Sequence, residues 1–197
     1  MTTSGRIELM APAGNFESMQ AALDNGCDSI YFGVEQLNMR ARATVNFVLD
    51  DLPEIARRCN EKNVRTYLTL NTIIYDHDLS IVKTLLTKAK EAGITAVIAS
   101  DQAVIMTART IGIEVHISTQ LNVTNIETVK FYAMFADTIV LSRELSLRQV
   151  KKITEDIEKE QVKGPSGNLV EIEIFGHGAL CMAVSGKCYL SLHSHNS

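Results

Sequence analysis

Short apolar runs rich in β-branched residues alternate with amphipathic stretches along the whole chain, and this rhythm limits the possible folds more than any single motif. Strand-like runs fall at residues 7–11, 29–33, 65–70, 95–99, 113–118, 138–141 and 170–175. Helix-like stretches fill 16–25, 51–61, 78–92, 102–110, 125–135 and 145–160. Asp78 and Asn125 stand where N-caps belong, and Gly26, Gly93 and Gly112 where helices should stop. Units of roughly 20 to 40 residues fit βαβ crossovers and a parallel sheet. Seven such strands point to an α/β chain of the (β/α)8, TIM-barrel-like kind, short of its last unit. Residues 1–197 then form one partial domain whose C-terminal remainder is absent. A doubly wound open sheet is the competing architecture. It is disfavoured because APAGNF, after the first run, holds one glycine and no GxGxxG. Polar residues also recur at the C-terminal ends of several strands, where barrel active sites lie. The stretch 162–169 (VKGPSGNL) reads as a turn into the seventh strand.

Alternation along each strand says which residues share a face. In the seventh run, Ile172 and Ile174 face the helices, while Glu171, Glu173, Phe175 and His177 share the other face, from which Glu173 and His177 point inward or upward into the barrel mouth. In EVHISTQLN, His116, Ser118 and Gln120 point inward, and in TYLTLN so do Tyr67, Thr69 and Asn71. Glu8 points inward from the first run, between outward Ile7 and Leu9. A buried carboxylate must be paired or neutralised, since leaving it alone costs several kcal/mol. The candidate catalytic residues are therefore His116, Gln120, Glu173 and His177, with a bracing ring of structural hydrogen bonds as the plainer reading. Arg40 and Arg42, in LNMRARA, and Arg143, in LSRE, follow strand ends. With Asn71 they form a candidate set for binding a small anion, because the guanidinium fork suits carboxylate or phosphate. Salt bridges to neighbouring acids are the alternative.

Composition narrows the class. Hydrophobic content of 46% and charged content of 21% suit a soluble globular chain. No apolar run approaches the roughly 18 residues a membrane span needs, and no secretory signal opens the chain, so the cytoplasm is expected. A net charge of −4 argues against a broad nucleic-acid surface without excluding a local basic patch. Four unevenly placed cysteines make no disulfide framework. Cys27 and Cys59 read as buried small hydrophobes.

Cys181 and Cys188 differ. They lie in EIFGHGALCMAVSGKCYLS, where Gly176, Gly178 and Gly186 would let backbone approach a bound centre closely. Six residues separate the two thiols, a weak signal by itself. An iron–sulfur cluster generally takes four thiolates. His193 and His195 could complete a zinc site, although they sit at the chain end. Half of a cluster site and two unconnected thiols both remain open on the residues alone.

That stretch resembles the signature of the U32 family, catalogued as peptidases and collagenase-like proteases. The resemblance rests on Glu173, Phe175, His177, Gly178, Cys181, Ser185, Gly186, Cys188 and Ser191. It extends through ELMAPAGNFESMQAAL, IYFGVEQLNMRARA, LTLNT, HISTQLNVTN and IVLSRELS. It implies either a peptidase or an oxygen-independent hydroxylase of RNA, with prephenate as hydroxyl source and a tRNA wobble uridine as one target. It further implies a [4Fe–4S] cluster in the full-length protein, with Cys181 and Cys188 as two of four ligands. Ser185 or Cys181 with His177 is a conceivable nucleophile and base, yet no nucleophile elbow or HExxH is present. RNA hydroxylation accounts for the thiols, arginines and polar strand ends together. A collagenase-like peptidase is the alternative, and a scaffold subunit without chemistry the third. The expected partners are tRNA or another RNA, a small anionic co-substrate and a further copy of the chain covering open sheet edges. These 197 residues by themselves are expected to be inactive.

Overall fold

A computed structural model describes residues 7–34, 47–178 and 183–185. Arg40, Arg42, Cys181, Cys188, His193 and His195 lie outside the described residues. The chain divides into two compact units, Met1–Glu114 and Val115–Ser197.

In the first unit the elements alternate as β1 (Met10–Pro12), α1 (Phe16–Asp24), β2 (Ser29–Phe32), α2 (Leu52–Glu61), β3 (Arg65–Leu70), α3 (Leu79–Ala92), β4 (Ala96–Ala99) and α4 (Gln102–Ile111). All strand pairs are parallel in the order β1-β2-β3-β4, with Tyr31 level with Tyr67 and Tyr67 level with Ala96. Ile30, Leu68, Leu70 and Val97 are buried on the helix-facing side. Each such side chain contributes about 1.5–3 kcal/mol relative to exposure. On the other side Tyr67, Ala96 and Ile98 form a separate core with Met10 and Tyr31. Asn15 opens α1 with a reciprocal capping box, its Oδ1 accepting from the Ser18 amide at 2.8 Å.

The second unit carries β5 (Glu114–Ile117, its first residue on the boundary), α5 (Ile126–Ala133), β6 (Thr138–Val140), α6 (Leu147–Glu160) and β7 (Glu171–Glu173). β5 pairs with β6 and β6 with β7, again in parallel. Asn125 caps α5 as read, accepting from the Thr128 amide at 3.0 Å. α6 is polar around most of its circumference and buries Ile153 and Ile157, four residues apart on one stripe. Parallel strands alternating with helices in chain order make this a TIM-barrel-like fold, as the sequence rhythm predicts.

Three details differ from the sequence reading. β1 begins at Met10, not at residue 7, because the Leu9 amide donates to the Asp28 carboxylate at 2.8 Å instead of joining a ladder. Asp78 stands at the N-cap of α3 as read but makes no side-chain capping bond: its carboxylate accepts from the Tyr75 amide at 3.0 Å, closing a 3₁₀ turn at Asp76–Asp78 ahead of the helix. β7 stops at Glu173, so strict alternation no longer reaches His177, which is exposed. Gly93 and Gly112 close α3 and α4 in the left-handed region, at φ of 84° and 80°.

Candidate active site

The parallel register of the second unit puts His116 level with Thr138 and Thr138 level with Glu171. Two residues along, Val140 is level with Glu173. The imidazole of His116 is buried, and its Nδ1 lies 3.7 Å from Glu173 Oε2. That is beyond a direct hydrogen bond and within the range of an ion pair when the ring is protonated. An imidazole facing a carboxylate can take up, hold or pass on a proton.

Beyond the strand ends three loops meet. After β5, Ser118 caps a 3₁₀ turn at Thr119–Leu121 by accepting from the Gln120 amide at 3.3 Å, which leaves Gln120 half-buried. Asn122 follows in the left-handed conformation, which asparagine tolerates better than most residues. The Ser142 hydroxyl donates to Asn122 Oδ1 at 2.6 Å, and the Ser142 amide to the Val123 carbonyl at 3.0 Å. The loop after β6 is thereby fixed to the loop after β5. It carries Arg143 and Glu144. The Arg143 guanidinium lies 6.0 Å from the centroid of the Phe175 ring, at the edge of cation–π range.

Ser185 joins this group from the third loop. Its amide donates to Glu144 Oε1 at 2.7 Å, and its fully buried Oγ lies 3.4 Å from the Arg143 amide and 3.5 Å from both Arg143 Nε and Thr119 Oγ1. The 2.7 Å bond is the strong one, short and charge-assisted. Burial alone would raise the Glu144 carboxyl, but bonds from the Ser185 amide, its own backbone and the Ser185 hydroxyl, with the Arg143 charge, hold it below the ordinary carboxylate range.

Among the predicted site residues, then, His116 and Glu173 face one another, and Arg143, Phe175 and Ser185 share a neighbourhood. Asn71 lies just past β3 in the first unit and is half-buried. Thr119, Asn122, Ser142 and Glu144 were not singled out from the sequence. The signal available for them was their place in HISTQLN and LSRE, immediately after two strand ends. Among the described residues no group of three His, Cys, Asp or Glu side chains is placed to hold a metal. No described helix is long and apolar enough to cross a membrane.

The family model for peptidase family U32 matches residues 14–197. The chain belongs to peptidase family U32. A U32 relative named collagenase, from Porphyromonas gingivalis, is 55% identical over 191 residues, covering 97% of this chain and 46% of that protein. The tRNA hydroxylation protein P1 of Bacillus subtilis is 31% identical over 189 residues, covering 94% of this chain and 42% of that protein. The chain thus spans less than half the length of either relative. Among solved structures, the U32 peptidase Mk0906 superposes with a TM-score of 0.63 at 14% identity, covering 88% of this chain and 70% of that one. That likeness bears on the fold, and it agrees with the TIM-barrel-like reading.

Proposed function

We propose that the protein containing this chain hydroxylates a base in RNA without oxygen, with a tRNA wobble uridine as the target and prephenate as the hydroxyl source. The observation that carries this reading is the polar cluster at the strand ends of the second unit, where His116 faces Glu173 and Arg143 stands over Phe175. The likeness to a tRNA hydroxylation protein supports it. In this reading Arg143 holds a carboxylate of the co-substrate through its planar fork, and Arg40, Arg42 and Asn71 bind substrate as well. His116 and Glu173 hold and move the proton, Gln120 orients the substrate through its amide, and His177 serves as a second proton carrier. Cys181 and Cys188 supply two of the four thiolates of a [4Fe–4S] cluster. Such a cluster, when bound, supplies a redox or Lewis-acid centre.

The test uses the full-length protein. Deletion of its gene should remove hydroxylated wobble uridine from tRNA, as read by nucleoside mass spectrometry. The wild-type gene should restore it, and Arg143→Ala and Cys181→Ala should not. Undiminished hydroxylation in the deletion strain refutes the reading. Anaerobically purified protein should contain iron and be brown.

A peptidase is the second reading, supported by 55% identity to a protein named collagenase. Against a serine nucleophile stands the full burial of the Ser185 hydroxyl, approached by the donors of Arg143 and Thr119, while the adjacent Glu144 carboxylate is held by the Ser185 amide. Cleavage of gelatin by the purified full-length protein, abolished in Cys181→Ala, would favour this reading over hydroxylation.

A further inference from the structure

Arg143 and Ser185 stand 42 positions apart in the chain and meet beyond the strand ends of the second unit. The fully buried Ser185 Oγ lies 3.4 Å from the Arg143 amide and 3.5 Å from Arg143 Nε. Also 3.5 Å from that oxygen is the Thr119 hydroxyl, which reaches the Leu141 carbonyl at 3.4 Å. The Ser185 amide meanwhile donates to Glu144 Oε1 at 2.7 Å, so the acid next to Arg143 in sequence is engaged by a backbone group. Arg57, Arg58 and Arg65 spend their charge on Glu54, Glu61 and Glu8. Among the described residues Arg143 is in no such ion pair, and it is exposed.

A guanidinium takes a carboxylate either side-on, through Nε and one Nη, or end-on, through its two Nη groups. The Ser185 oxygen sits at Nε and closes the first mode, and the Phe175 ring stands 6.0 Å from Cζ. The tip of the fork remains open. Contacts of 3.4 and 3.5 Å are long for hydrogen bonds, so the hydroxyl steers the side chain without locking it.

We propose that Ser185 is a positioning residue for Arg143, its Oγ occupying Nε so that a carboxylate is received end-on by the two Nη groups. This rests on reading Arg143 as the holder of a carboxylate of the co-substrate.

The experiment follows ligand protection of Arg143 against phenylglyoxal, which condenses with the Nη pair, by peptide mass spectrometry on the full-length protein. Prephenate and malonate are the probes. Arg148, exposed on α6, is the internal reference. Both probes should protect Arg143, and neither should protect Arg148. Ser185→Ala should raise the half-protecting concentration of each by roughly three- to tenfold, the loss of one weak bond to a charged group. Ser185→Thr keeps the hydroxyl and should stay within about twofold of wild type. A Ser185→Ala value equal to wild type, or a Ser185→Thr value equal to that of Ser185→Ala, overturns the proposal. If Ser185→Ala also speeds modification of Arg148, the unit has loosened, and wild-type protein decides. There, by ¹⁵N NMR, the Arg143 Nε proton should exchange with water more slowly than that of Arg148, and equal exchange overturns the proposal. Protection by malonate but not by prephenate removes the co-substrate proposed above and leaves the Arg143 site standing. Protection by neither refutes the site itself.

Discussion

The two units turn a strand face away from their helices and fill it by different rules. In the first, that face is packed with Met10, Tyr31, Tyr67, Ala96 and Ile98. The Glu8 carboxylate beside it is taken up by the Arg65 guanidinium and by the Tyr67 hydroxyl, the latter at 2.9 Å. In the second, His116, Thr138 and Glu171 are aligned, and then buried Val140 with Glu173, with Arg143, Glu144 and Ser185 just beyond the strand ends. Glu8 enters from the N-terminal end of its sheet, where barrel proteins keep stability, and the second cluster sits at the C-terminal end, where they keep chemistry. A carboxylate with two firm partners is braced. One that stands 3.7 Å from an imidazole is available.

The largest test of this contrast is Glu173→Gln in the full-length protein. It removes the charge facing His116 and leaves the shape, so hydroxylation should fall by roughly 10²–10⁴-fold while the thermal midpoint stays close to wild type. Full activity in this variant would mean that the proton is handled elsewhere. The mirror experiment is Leu68→Ala, at a fully buried position on the helix-facing side of β3. It should cost about 2–5 kcal/mol, read as a lower urea midpoint, with activity per folded molecule unchanged. If Leu68→Ala lost activity without stability, the division of labour between the units would be wrong.

The fold was legible in the sequence because period-2 and period-3.6 patterns each recur several times, and each repetition checks the last. β3 was read as 65–70 and is Arg65–Leu70. The misses were local. Asp78 holds the N-cap position as read, and only the preceding tight turn reveals that the Tyr75 amide claims its carboxylate. The site was half legible. Strand alternation brought out His116 and Glu173, since both lie within or at the end of a strand. Glu144 and Thr119 lie past strand ends, where the chain turns and alternation carries no information. Their roles depend on contacts 41 and 66 residues away, which no local pattern encodes.

A smaller effect separates the units by pH. Burial pushes the Cys59 thiol up to about 11 from its ordinary 9.0, with the neighbouring Cys27 as the second cause. The folded first unit accepts the neutral thiol and resists the thiolate. The stability this contributes is whole below pH 9 and is lost as pH rises through 11, up to roughly 2–3 kcal/mol. Alkaline unfolding between these values should flatten in Cys59→Ala, whose own baseline will be somewhat lower because a cavity remains. An equally steep curve in the variant would move the alkaline weakness away from the first unit's core.

The smallest and most discriminating change is Tyr67→Phe. It deletes one hydroxyl that donates to Glu8 and leaves the ring in the apolar cluster and the Arg65 contact in place. A neutral donor lost from a carboxylate that keeps its cation should cost about 1 kcal/mol, seen as a slightly lower urea midpoint. Hydroxylation should not change, because Glu8 is braced and not poised. A loss of activity exceeding the loss of stability would show that the Glu8 carboxylate takes part in the chemistry, and the contrast between a braced acid and an available one would fail at its clearest point.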